Sequence, residues 1–215
     1  QDWEEIKSQG LNWTPPENIK RHSQMIDRLL MFMIDVADEM KLTLDPEMDT
    51  YYFMDTVVSK MPAMLEPLGI TRARGTGVLS KKELTPQMRI DISSLVAQMS
   101  TTLRAQNTNL EKVMRFAPEL QGALNGPTKE FSDGVGKIFV LVREDILGEK
   151  FATAPQDYFA QTTQIIDLGY KMMFETLIPQ FEKQLEARKA AAQRMLLLEM
   201  GLAAAIMLLV GYLAV

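Results

Sequence analysis

The chain has 215 residues and a formal charge of −5, with no cysteine, one histidine and 16 methionines. Without cysteine there is neither a disulfide framework nor a thiolate metal site, and a lone histidine, His22, excludes any site that needs two imidazoles. An acidic chain with a pI near 5.1 lacks the basic stripe of a nucleic-acid binder, so no nucleic acid is expected as a partner.

The elements read as helices in chain order. Ile19, His22, Ile26, Leu29, Met33, Val36 and Met40 alternate steps of three and four, a coiled-coil-like seam, and Pro15 and Pro16 bar an earlier helix from running into it. Asp45-Pro46 predicts the start of a second helix, a cap residue followed by proline at the first helical position. Its buried stripe is Met54, Val57, Val58, Met61, Leu65 and Leu68, and Pro62 and Pro67 inside the stripe predict kinks and not an end. Thr85-Pro86 opens a third helix through Ile92, Leu95, Met99, Leu103, Leu110, Val113, Ala117 and Leu120, expected to end at Asn125-Gly126-Pro127 after about 40 residues, or ~60 Å. A fourth helix is expected over roughly Thr128 to Leu147, although Val135–Val142 is β-branched enough to suit a strand. Gly148 to Ala154 reads as a loop, and Pro155 starts a last helix through Phe159, Ile166, Met173, Leu177, Phe181 and Leu185.

That last helix runs into MLLLEMGLAAAIMLLVGYLAV, from Met195 to Val215, in which Glu199 is the only charged residue. About 20 such residues cross a ~30 Å hydrocarbon core. The expected division is therefore a helical domain over 1–194 and a transmembrane helix over 195–215, cut short at its C-terminal side. Trp3 and Trp13 are of the type that favours the membrane–water boundary, and a first membrane helix upstream of Gln1 is expected. Long helices joined by short capped turns predict an all-α, elongated antiparallel bundle, four-helix or stacked double, continuing into the membrane. If both ends of the domain meet one membrane face, the passes must be even in number. The five segments satisfy this with a broken pass at Gly148–Ala154, an added pass before Pro15, or two stacked bundles, and the sequence does not choose among them.

No catalytic constellation stands out, and no enzyme, cofactor or metal is expected. Gly75-Thr76-Gly77 lacks the lysine of a phosphate loop and reads as a loosened helix end or a close helix contact. His22 reads as a satisfied core or rim residue, and the methionines as adaptable core filler. Arg72 and Arg74 follow two prolines and a glycine, and guanidinium groups grip carboxylates bidentately, so the pair is a candidate anchor for a small organic acid. Tyr51 and Tyr52 are placed on the apolar side of the same pocket. The opposing reading is that both arginines are solvated or pair with neighbours such as Glu66 and Asp91.

The run LDPEMDTYYFMDTVVSKMPAMLEPLGITRARGTGVL resembles part of the extracytoplasmic sensing region of bacterial chemoreceptors, the methyl-accepting chemotaxis proteins, and of related transmembrane sensors. YFAQTTQIIDLGYKMMFETLIPQFEKQLEAR is similar to the close of such regions. Together they cover about a third of the chain. The resemblance implies a homodimeric receptor of the bacterial inner membrane, with residues before about 195 in the periplasm. It also implies a small-molecule ligand bound between helices, a helix displacement passed across the membrane, and chemotaxis as the output. The alternative expectation is a membrane-anchored helical tether or interaction module without a small-molecule ligand.

Overall fold

The computed structural model describes residues 2–213. Eight α-helices form: α1 (Asp2–Gln9), α2 (Pro15–Glu39), α3 (Met48–Asp55), α4 (Met61–Lys81), α5 (Pro86–Phe116), α6 (Gln121–Leu141), α7 (Pro155–Lys171) and α8 (Ile178–Leu213). No strand occurs among the described residues. The starts of α2 and α5 share one chemistry. The hydroxyls of Thr14 and Thr85 accept from the amides of Glu17 and Met88, and a proline fills the first helical position where no amide donor is missed.

Three short π-helical turns occur: Thr56–Lys60 joins α3 to α4, Val142–Ile146 ends α6, and Met172–Leu177 joins α7 to α8. The first and third have a cause visible in the sequence. Met61 precedes Pro62 and Ile178 precedes Pro179, and their amides bond five residues back, to Thr56 and Met173. A proline cannot donate and its ring presses on the carbonyl four residues earlier, so the preceding turn widens from i−4 to i−5 bonding. Pro62 thus widens the turn before it, Pro67 sits inside α4, and neither ends the helix.

The result is a set of long antiparallel passes. The α3–α4 rod, α5, α6 and the α7–α8 rod form a four-membered ring, and α2 lies along the outside of α4. Contacts give the direction of each pass. Lys112 of α5 meets Tyr52, whereas Asp91 of the same helix meets Arg74; Tyr158 meets Thr71, whereas Phe181 meets Phe53. At the foot, Arg188 of α8 reaches the α2–α3 turn, with Nη1 2.5 Å from Asp45 and 2.7 Å from the Thr50 hydroxyl. At the far end, Arg89 donates to the Leu147 carbonyl at 2.6 Å. The core runs the length of this ring through Phe53, Met61, Leu68, Met99, Phe131 and Tyr158. Five buried methionines, Met54, Met61, Met64, Met99 and Met172, fill it as expected of a flexible thioether.

Several expectations are corrected. The turn after α5 falls at Ala117 and not at Asn125-Gly126-Pro127: Ala117 precedes Pro118 and is driven to φ −128°, ψ 76°. Pro127 instead sits inside α6, where it forfeits one helical bond without stopping the helix. Accordingly α5 has 31 residues, ~46 Å. The helix expected over the β-branched Val135–Val142 segment does form, as α6 up to Leu141 and then the π turn from Val142. Asp45 does not cap α3; its carboxylate accepts from the Glu47 amide at 3.0 Å one turn earlier, and the helix begins at Met48. The α2 seam divides: Ile19, His22, Ile26 and Met33 are half-buried, but Leu29, Val36 and Met40 are exposed. Before Pro15 the chain adds only a short partial pass: α1, eight residues long, folds back along α2 with Asp2 on Arg28 and Glu5 on Arg21.

The division at 194/195 has no counterpart in the backbone. Residues Pro155–Leu213 form one helical rod of 59 residues containing an 18-residue stretch of mean hydropathy 2.2, none of it buried. It is long and apolar enough to cross a membrane. The last two residues of the expected 195–215 span lie outside the described residues.

Candidate functional site

The residues singled out in the sequence do not assemble into one pocket. Tyr51 and Arg72 lie on one rod 21 residues apart, ~30 Å along the axis. At the lower end, the rings of Tyr51 and Tyr52 meet edge to face with centroids 5.2 Å apart. Lys112 Nζ donates to the Tyr52 hydroxyl at 2.8 Å and stands 4.2 Å from the centre of its ring. The tyrosines therefore fasten α3 to α5 and close no site near the arginines.

The two arginines also differ. Arg74 forms an ion pair with Asp91, which also accepts from Gln87 Nε2 at 2.7 Å. That is the pairing the opposing reading anticipated. Arg72 has no carboxylate partner among the described residues. Its Nη1 donates to the Thr163 hydroxyl at 2.7 Å, and its guanidinium carbon stands 4.6 Å above the Phe159 ring. Its Nε is buried without a hydrogen-bond partner, as is the Thr71 hydroxyl beside it. A half-buried guanidinium held on an aromatic face and a hydroxyl, with donors to spare, is suited to an anion.

Both of its holders, Phe159 and Thr163, belong to α7, the start of the rod that carries the apolar stretch. Phe159 is 45% exposed, lying under Arg72. The spacing of Phe159 and Thr163, one turn apart, marks a helix face, but only the pairing of α4 with α7 sets that face under an arginine. Beside them Tyr158 is fully buried and donates to the Thr71 carbonyl at 3.0 Å. Burial pushes its phenol pKa well up, so the hydroxyl keeps its proton.

Two carboxylates have buried side chains: Asp145, which the sequence reading passed over, and Asp45, which it read as a helix cap. Asp145, in the π turn after α6, accepts from the amides of Ala152 at 2.7 Å and Thr153 at 2.8 Å. Burial alone would raise its pKa, but these amides hold it below the usual value. Asp45 is likewise lowered, with burial opposed by the Thr50 hydroxyl, the Glu47 amide and Arg188. Both carboxylates fasten loops. His22 is a rim residue whose Nδ1 lies 2.9 Å from the Asn18 carbonyl. Among the described residues no group of three or more His, Asp or Glu side chains is placed to hold a metal ion.

No protein-family model, no curated protein and no solved structure matches this chain.

Proposed function

We propose that the chain is the sensing portion of a transmembrane signal-transduction receptor of the bacterial inner membrane, with the region before about residue 195 in the periplasm. The observation that carries this reading is the unbroken rod from Pro155 to Leu213. One end holds the partners of an unpaired arginine, and the other is a stretch ~28 Å long of membrane-spanning composition. An acid bound at Arg72 bridges α4 and α7. A ligand that prefers one packing of those helices shifts the population toward it, and a rigid helix carries the resulting slide or rotation to its far end. Chemotaxis is the output suggested by the resemblance of residues 44–79 and 158–188 to chemoreceptor sensing regions. The exposed stripe on α2 supports a homodimer, since a second copy would cover it.

The test uses the full chain in lipid nanodiscs and succinate as the organic-acid probe. Succinate is expected to raise the melting temperature by mass action. Arg72→Ala is expected to abolish that rise, and Arg74→Ala, whose side chain is already paired, to leave it. Cysteine pairs placed along Leu177–Leu185 should change their cross-linking pattern when succinate is added. A pattern identical with and without a bound acid would reduce the molecule to an anchored tether.

A further inference from the structure

A cavity lies between α2, the α3–α4 rod and the α7–α8 rod, and both proline-widened turns contribute to its walls. Its volume is about 260 Å³, and its walls include Ile26, Met33, Val57 and Leu65. Glu66 is the one charged residue among its described lining residues. Ligand pockets commonly measure roughly 300–1,000 Å³, so this one suits a small occupant.

Glu66 is half-buried. One carboxylate oxygen, Oε1, accepts from the Ser23 hydroxyl at 2.7 Å. No lysine, arginine or histidine among the described residues pairs with it. Such a carboxylate on an apolar wall is costly unless a cation meets it. The same cavity is edged by Tyr170 and Phe174, whose rings stack with centroids 6.3 Å apart at 13°. Both are exposed, at 46% and 59%, and aromatic faces attract organic ammonium groups.

We propose that this cavity binds a small organic ammonium ion with an apolar body, an arylalkyl- or alkylamine. Its N–H groups donate to Glu66, its hydrocarbon lies among Ile26, Met33, Val57 and Leu65, and Tyr170 and Phe174 flank the cation. The chemistry is opposite in sign to that of Arg72, and the site stands whether or not an acid binds there. Its position also gives it a route to the membrane. Val57 comes from the first proline-widened turn and Met173 and Phe174 from the second, so an occupant touches the rod where its helical hydrogen bonding is least regular.

Phenethylammonium chloride, titrated calorimetrically into the full chain in nanodiscs against empty nanodiscs, is the direct test. Saturable binding at one site per chain is expected. Glu66→Gln keeps an acceptor for Ser23 but removes the charge, and should weaken binding at least ~tenfold, since charge-assisted hydrogen bonds are about twice as strong as neutral ones. Phe174→Ala, at an exposed position, should weaken it as well. The similarly shaped anion 3-phenylpropionate should not compete, and Arg72→Ala should leave phenethylammonium binding unchanged. No saturable heat with the native chain, equal affinity in Glu66→Gln, or competition by 3-phenylpropionate each overturns the assignment. Loss of succinate binding alone would count against the acid site and leave this one standing.

Discussion

Gly75 and Gly77 are two residues apart on α4 and look alike in the sequence, yet their surroundings are opposed. A Cβ on Gly75 would come within 2.5 Å of the Tyr158 hydroxyl oxygen, whereas a Cβ on Gly77 would meet nothing within 4 Å. Tyr158 cannot swing away without giving up its bond to Thr71. Gly75→Ala is therefore expected to destabilise the fold by about 1–3 kcal/mol through overpacking. Gly77→Ala should stabilise it by about 0.5–1 kcal/mol, because alanine loses less backbone entropy in a helix. Chemical denaturation of both variants checks the pair. The glycine doublet was legible as a helix contact, but which glycine makes the contact depends on the register of α7 against α4. The same limit applies to the arginines. Arg72 and Arg74 are equivalent in sequence, and only the facing helix decides that one meets Asp91 and the other Thr163.

The ends of the helices are governed by local chemistry and by two carboxylates that reach across loops. In the loop between α6 and α7, Glu149 and Phe151 take positive φ, 55° and 48°, a conformation unfavourable for side-chain-bearing residues. Asp145 holds that loop through the amides of Ala152 and Thr153. Asp45 and Arg188 do the same for the α2–α3 turn and the foot of α8. Both carboxyl pKa values are lowered in the folded state, so the stability they contribute is present in full above the unfolded value of about 3.9. It is lost as pH falls through that value toward the lower folded one. Asp145→Asn is expected to cost about 1–3 kcal/mol at neutral pH, by turning an acceptor into a donor that faces an amide. It should also flatten the fall in stability between pH 5 and pH 3, which denaturation measured across that range will read. Helix starts at Pro15, Pro86 and Pro155 and the distortions before Pro62 and Pro179 follow from proline's missing donor. The turn at Ala117 follows from proline's steric restriction on the residue before it, at a Pro118 that the apolar periodicity had masked.

The molecule as a whole leaves one face uncovered. Leu29, Phe32, Val36 and Met40 of α2 share a helix face at steps of three and four and are 57%, 65%, 44% and 69% exposed. A contiguous apolar stripe of this kind marks an interaction surface. With a second copy as its partner, Phe32→Glu should shift the full chain in nanodiscs from dimer to monomer while leaving its helical content unchanged. Light scattering and circular dichroism test both halves of that expectation.

What the sequence determined by itself is what depends on neighbours within a few turns. The all-helical class, the capped starts, the distortion at interior prolines and the apolar tail all follow from periodicity, backbone donors and composition. Tertiary structure alone decided which helix faces meet. It did not set the distance from Tyr51 and Tyr52 to Arg72, about 30 Å, which helix rise along the α3–α4 rod fixes by itself. Tertiary structure has no part in the passage through 195, where α8 continues without a break because its hydrogen bonding is indifferent to whether side chains face water or lipid. It was tertiary structure that brought Glu66 together with Tyr170 and Phe174 on one cavity wall, a meeting of residues more than 100 positions apart that no local pattern encodes.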